Sequence, residues 1–342
     1  MNDHDPNTAL IQETPTPLDS HAEDSCSEDS CSEGAVAEGL SEISPDTPPP
    51  SQDEARDAVP ALPKLDTLPR PAQPRLIALI NQKGGVGKTT TTVNLGAALA
   101  ASGQRVLMID LDPQAHLTLS LGIDHEQIEL SMYDLLTNPD IAASQIVRMV
   151  ENNPRLGVLP AETSLAGVES EMAELVATGL AQTVLRNKTA DLVKQFDYVL
   201  LDCPPSLGLL TINGLTAAQE IIVPMQAHFL ALQGMGKLFE TINMIRQGIN
   251  PALTVSGVVL CMHEANTILA SDVVADVEGF FEQARGTDVP WSDAQVYHPP
   301  IRRNIKLAEA PSFGQSVLTY APDSNGSKDY AKLARSVAGV KV

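Results

Sequence analysis

The sequence predicts an α/β protein: a doubly wound, mostly parallel sheet flanked by helices, preceded by an acidic tail. Three observations carry this. Over residues 73–342 short continuous apolar runs alternate with stretches of helical period, the pattern of buried parallel strands joined by crossover helices. A glycine-rich segment, residues 82–90, lies between the first apolar run and the first helical stretch, where a phosphate-binding loop belongs. Aspartates close or follow several of the runs, and in such sheets ligands bind beyond the carboxyl ends of the strands.

Residues 1–72 hold sixteen Asp and Glu against three Lys and Arg, with eleven prolines. Such a segment has too little apolar surface to offset its ordering entropy, and its charges repel one another. It is expected to be a disordered tail, with the folded domain beginning at residue 73. The opening MNDHDPNTAL has neither the basic start nor the apolar run of a secretory signal. No stretch approaches the roughly 18 apolar residues of a membrane span. Cys26, Cys31, Cys203 and Cys261 form neither a disulfide framework nor a metal-ligand spacing. A reduced, cytoplasmic setting is therefore expected.

Buried strands are expected at 76–80, 106–109, 156–159, 198–201, 221–223 and 255–261, and helices at 89–101, 165–178, 180–195, 230–249 and 271–284. After the first strand come Gln82, Lys83, Gly84, Gly85, Val86, Gly87, Lys88, Thr89 and Thr90. The three glycines let the backbone curl so that successive N–H groups point at an anion, and the helix N-terminus adds its dipole. Lys88 is expected to reach the β- and γ-phosphates of a nucleoside triphosphate, and the Thr89 hydroxyl to ligate Mg²⁺. Gln82 stands where the plain phosphate-loop pattern has its first glycine, and Lys83 adds a second lysine five residues before Lys88.

The second strand ends on Asp110, with Asp112 and Pro113 just beyond. Asp110 suits the outer shell of Mg²⁺; Asp112, further out, can position and deprotonate an attacking water. The run ending in Asp202 offers a second carboxylate for Mg²⁺, held through water.

The loop form Lys-Gly-Gly-x-Gly-Lys-Thr resembles the deviant Walker A of the ParA, MinD and nitrogenase iron protein superfamily of P-loop NTPases. The segments Asp110 to Gln114 and Asp202 to Gly208 resemble the same family, and Asn304 to Gln315 looks specifically like chromosomal ParA (Soj-type) partition ATPases. The resemblance covers residue 76 onward. It implies a slow ATPase that forms a homodimer with ATP, Lys83 crossing to the neighbour's nucleotide and Asp112 catalytic. It also implies non-specific binding of double-stranded DNA, nucleoid association, and release when a ParB-type partner stimulates hydrolysis. Met262 and the loop with Pro300 are where it places the adenine.

DNA affinity requires grouped cations. Residues 297–342 carry seven Lys and Arg against three Asp and Glu, while the whole chain is at −21. Arg302, Arg303 and Lys306 are the expected contacts, with Lys328, Lys332, Arg335 and Lys341 as extensions. Asn266 stands where the family has an arginine. The last helical stretch, with Tyr330, Leu333, Ala334 and Val337 on one face, is short for a membrane anchor and adequate for packing. The alternatives are a MinD-like or cargo-positioning switch without DNA binding, and a nucleotide-dependent transcriptional regulator.

Overall fold

A computed structural model describes residues 60–227, 231–264 and 268–341. Eight strands form one sheet: β1 (Arg75–Leu79), β2 (Val106–Asp110), β3 (Arg148–Met149), β4 (Leu156–Leu159), β5 (Tyr198–Asp202), β6 (Glu220–Gln226), β7 (Thr254–Cys261) and β8 (Gln295–Tyr297). Their order is β3-β4-β2-β5-β1-β6-β7-β8. Every pairing is parallel except β3 with β4. The longer helices are α1 (Lys88–Ala101), α2 (Leu209–Ala217), α3 (Ala231–Gly248), α4 (Ile268–Ala284) and α5 (Asn325–Val337).

The central strands read as unbroken apolar runs because both faces of the sheet are covered. Side chains alternate between two cores with period two. Ile77, Leu79, Val106, Met108, Tyr198 and Leu200 join α1 and α5 on one face. Ala78, Leu107, Ile109, Val199 and Leu201 meet α2, α3 and α4 on the other. Tyr330, Leu333, Ala334 and Val337 of α5 are all buried in the first core, so the face expected to pack does pack.

β6 runs beyond the expected 221–223, straight through Pro224. Pairing with β1 stops at Ile222, so the missing N–H of Pro224 falls past the end of that neighbour. The helices expected at 165–178 and 180–195 are instead short pieces, including Val168–Glu171, Ala173–Ala177 and Val184–Thr189. Gly179, at φ 74, interrupts them, and Leu175, Val176 and Leu180 lie on the surface. β3 and β8 are too short for periodicity to reveal.

The boundary expected at residue 73 is too late. Leu68 is buried, and Leu62 and Leu65 pack beside it on the α1 face. Leu65 N donates to Ala101 O at 3.2 Å and Leu68 N to Ser102 O at 3.1 Å, satisfying carbonyls left open at the end of α1. The Gln104 side chain in turn donates to Leu68 O at 2.8 Å. Three leucines at a spacing of three were hidden inside a proline-rich, acidic average. The rest of the expected tail, 1–59, lies outside the described residues, as do residue 230 and Asn266.

Candidate active site

β1, β2 and β5 end side by side, and their loops converge. Residues 80–87 leave β1 and curl into α1, with Gly85 at φ 73 and Gly87 at φ 92, left-handed values open to glycine. A Cβ on Gly87 would press on Cys261 at 3.4 Å, whereas one on Gly84 or Gly85 would meet nothing within 4 Å. The open side of the loop thus faces away from the protein's own packing, as a phosphate cradle requires. Val86 is buried beneath it.

Two side chains that sequence reasoning missed fix this loop. Asn81 accepts from Lys83 N at 2.9 Å and donates to Pro224 O at 2.8 Å. Gln226 donates to Gly85 O at 3.3 Å and contacts the Met262 sulfur at 2.8 Å. Gln82 Nε2 is a buried donor with no partner among the described residues. Lys88 is 8% exposed, while Lys83 is exposed.

The carboxylates meet through the sheet. Asp110 and Asp202 stand opposite one another in the β2/β5 register, and both are buried. Asp202 accepts from the Thr89 hydroxyl at 2.7 Å and the Thr92 hydroxyl at 2.9 Å. Burial pushes its pKa up, and the Lys88 ammonium works against that rise. Asp110 is pushed up to about 7, by burial first and then by Asp202, against hydrogen bonds from Thr118 and Asp112 that pull it down. Asp112, 8% exposed, accepts from Gln114 N at 3.0 Å, so a short turn fixes its carboxylate, whose charge is felt at Asp202. Burial raises the thiols of Cys203 and Cys261, the latter to about 11, leaving neither as a reactive thiolate.

Beyond β7 the chain turns at Met262, φ 51. His263 N donates to Ile301 O at 2.9 Å and Ile301 N to Leu260 O at 2.8 Å. These bonds bring Met262 and the Pro300 loop together at the mouth of the site, with Gln226 linking Met262 to Gly85.

The three expected DNA contacts are each occupied by a carboxylate. Arg302 grips Asp329 through two guanidinium bonds of 3.0 and 2.7 Å. Arg303 pairs with Glu264 at 3.0 Å, and Lys306 with Glu309 at 2.7 Å. Lys328 and Lys332, one turn apart on α5, are exposed and form no ion pair among the described residues.

The sequence relationships follow the geometry. An AAA-domain family matches residues 74–255. The sporulation initiation inhibitor protein Soj of Bacillus subtilis is 42% identical over 267 residues, 77% of this chain and 98% of that protein. The chromosome partitioning protein ParA of Caulobacter vibrioides is 42% identical over 265 residues, 77% and 93% of the two chains. The chain belongs to the ParA/Soj family of chromosome-partitioning ATPases. Among solved structures, cobyrinic acid a,c-diamide synthase from Mycobacterium smegmatis with bound ADP and magnesium is 36% identical, with TM-score 0.63 over 77% of this chain and 94% of that one. The Pyrococcus furiosus cell division ATPase MinD shares the fold at 23% identity, with TM-score 0.60 over 78% and 98%.

In this ParA/Soj chain the donor set fits magnesium bridged to a triphosphate. Among the described residues no group of three or more His, Cys, Asp or Glu could hold a metal alone. Mg²⁺ is characteristically held by one or two carboxylates together with substrate phosphates and water. Thr89, Asp110 and Asp202 are the residues that could form such a partial shell. No described helix is long and apolar enough to cross a membrane.

Proposed function

We propose that the chain is an ATP-driven DNA-partition switch. Two copies close around ATP, the closed pair holds double-stranded DNA without regard to sequence, and a ParB-type protein ends the cycle by stimulating hydrolysis. The observation that carries this reading is the unlike placement of the two loop lysines. Lys88 is buried against Asp202, where it serves its own nucleotide. Lys83 is exposed at the loop's open side and forms no side-chain bond among the described residues. A free cation there suits a second copy's phosphates.

In the closed pair the loop N–H groups from Gly84 to Thr90 and the Lys88 ammonium bind the phosphates. The Thr89 hydroxyl, Asp110 and Asp202 would hold magnesium, which would supply positive charge to the phosphates. Asp112 orients the attacking water and accepts its proton. Lys83 of the partner subunit neutralises charge as the terminal phosphoryl group departs. Met262 and Pro300 flank the base. The name of the Caulobacter relative, a chromosome partitioning protein, supports the chromosomal role, and ATP-dependent pairing would gate DNA binding by making the second engagement intramolecular.

The DNA contacts are Lys328 and Lys332, since Arg302, Arg303 and Lys306 are each paired with a carboxylate. One observation favours a second reading, a cargo-positioning switch without DNA: Arg302, Arg303 and Lys306 all face carboxylates. Gel shifts on random-sequence duplex with ATP, with ADP and without nucleotide, over a salt series, separate the two. Retention only with ATP, falling steeply with salt, supports partition. Lys328→Ala/Lys332→Ala is expected to lower the salt slope by about two per monomer. Retention that ignores the nucleotide, or none at all, overturns the DNA reading.

A further inference from the structure

Asp110 is held in an unusual way for a fully buried carboxylate. It faces Asp202 across the strands, and among the described residues no Lys, Arg or His forms an ion pair with it. Asp202, by contrast, has two hydroxyl donors and the charge of Lys88. Asp110 Oδ1 accepts from Asp112 N at 3.1 Å. Its Oδ2 accepts from Thr118 N at 3.0 Å and from the Thr118 hydroxyl at 2.7 Å. Both recorded donors to Oδ2 come from one residue.

Thr118 is itself fixed. It is completely buried, and its hydroxyl oxygen accepts from Ala161 N at 3.0 Å, beyond the end of β4. With Ala161 N–H on that oxygen, the hydroxyl proton is directed to Asp110. The turn that presents Thr118 is fixed too: Ala115 N donates to Asp112 O at 2.8 Å, and Ala115 adopts φ 51. The hydroxyl therefore bridges two strand-end segments and aims the second carboxylate of the site.

We propose that Thr118 is a positioning residue for Asp110, setting how tightly the site takes up Mg²⁺ together with its nucleotide. This rests on the ATPase reading above. Partners that orient a metal-facing carboxylate characteristically alter metal affinity ten- to hundredfold when removed. A threonine that merely fills the core would alter folding stability and leave metal uptake alone.

The test titrates Mg²⁺ into the full chain with a fluorescent ATP analogue. Thr118→Val keeps the shape and removes the hydroxyl; Thr118→Ala removes it without the added methyl against Asp110; Thr118→Ser retains it. The valine and alanine variants are expected to raise the Mg²⁺ half-saturation point by about ten- to hundredfold. Their binding of the analogue in EDTA should match the parent, and the serine variant should return the midpoint to the parent value. If the parent shows Mg²⁺-dependent binding and both hydroxyl-free variants share its midpoint, this proposal alone is overturned. A parent that binds no analogue overturns the nucleotide reading and this proposal with it.

Discussion

Lys83 and Lys88 differ in environment far more than in sequence. Five residues apart on one loop, one is buried beside a carboxylate and the other stands in solvent. Lys88→Ala is expected to abolish nucleotide binding, because the buried cation answers both the phosphates and Asp202. Lys83→Ala should bind a fluorescent ATP analogue as the parent does, yet hydrolyse ATP at least about a hundredfold more slowly, the scale of losing a preorganised charge at a reacting centre. Turnover at the parental rate would remove Lys83 from the chemistry. The cations near residue 303 teach the reverse lesson. Arg302 reads in sequence as a DNA contact, but Asp329, 27 residues later and buried, claims it twice over, and no spacing rule announces that pairing.

At the scale of elements, two joints stand out. Where β2 and β5 begin, Asp197 accepts from Arg105 N at 2.8 Å and pairs with its guanidinium at 2.9 Å, with Arg70 at 3.7 Å. Burial acts to raise the Asp197 pKa, but the Arg105 hydrogen bonds and the two positive charges outweigh it and the net shift is downward. A carboxyl depressed on folding stabilises the protein above its unfolded pKa of about 3.9, and that contribution is lost as pH falls through the folded value. Asp197→Asn should therefore cost about 2 kcal/mol at pH 7, and the difference from the parent should shrink in acid unfolding curves below about pH 4. At the second joint Gly122, φ 76, and Gly314, φ 63, meet backbone to backbone. A Cβ on Gly314 would lie 2.6 Å from the Gly122 Cα. Gly314→Ala is expected to lower stability by roughly 2–4 kcal/mol, combining left-handed strain with overpacking, measurable by denaturant titration. A change below about 0.5 kcal/mol would mean that the contact yields freely.

For the whole molecule, the role proposed for Lys83 requires a second copy. Light scattering should show a monomer without nucleotide and a dimer with a non-hydrolysable ATP analogue; a monomer under both conditions would deny Lys83 its target. Residues 1–59 carry fifteen Asp and Glu against one Arg. A chain starting at Pro60 should hold DNA more tightly at low salt than the full chain, converging with it as salt screens the difference. By itself the sequence determined the central strands of the sheet, the phosphate loop and the carboxylates at its edge, because strand period, glycine placement and strand-end aspartates are local features that neighbouring residues impose. The tertiary structure alone decided three things. Leu62, Leu65 and Leu68 belong to the folded body, Asn81, Gln226 and Thr118 hold the site together, and the expected DNA cations are paired. Each depends on groups that are distant in sequence and adjacent only once the sheet has formed, and hydrogen bonds and charges act over distances in space that a linear pattern does not record.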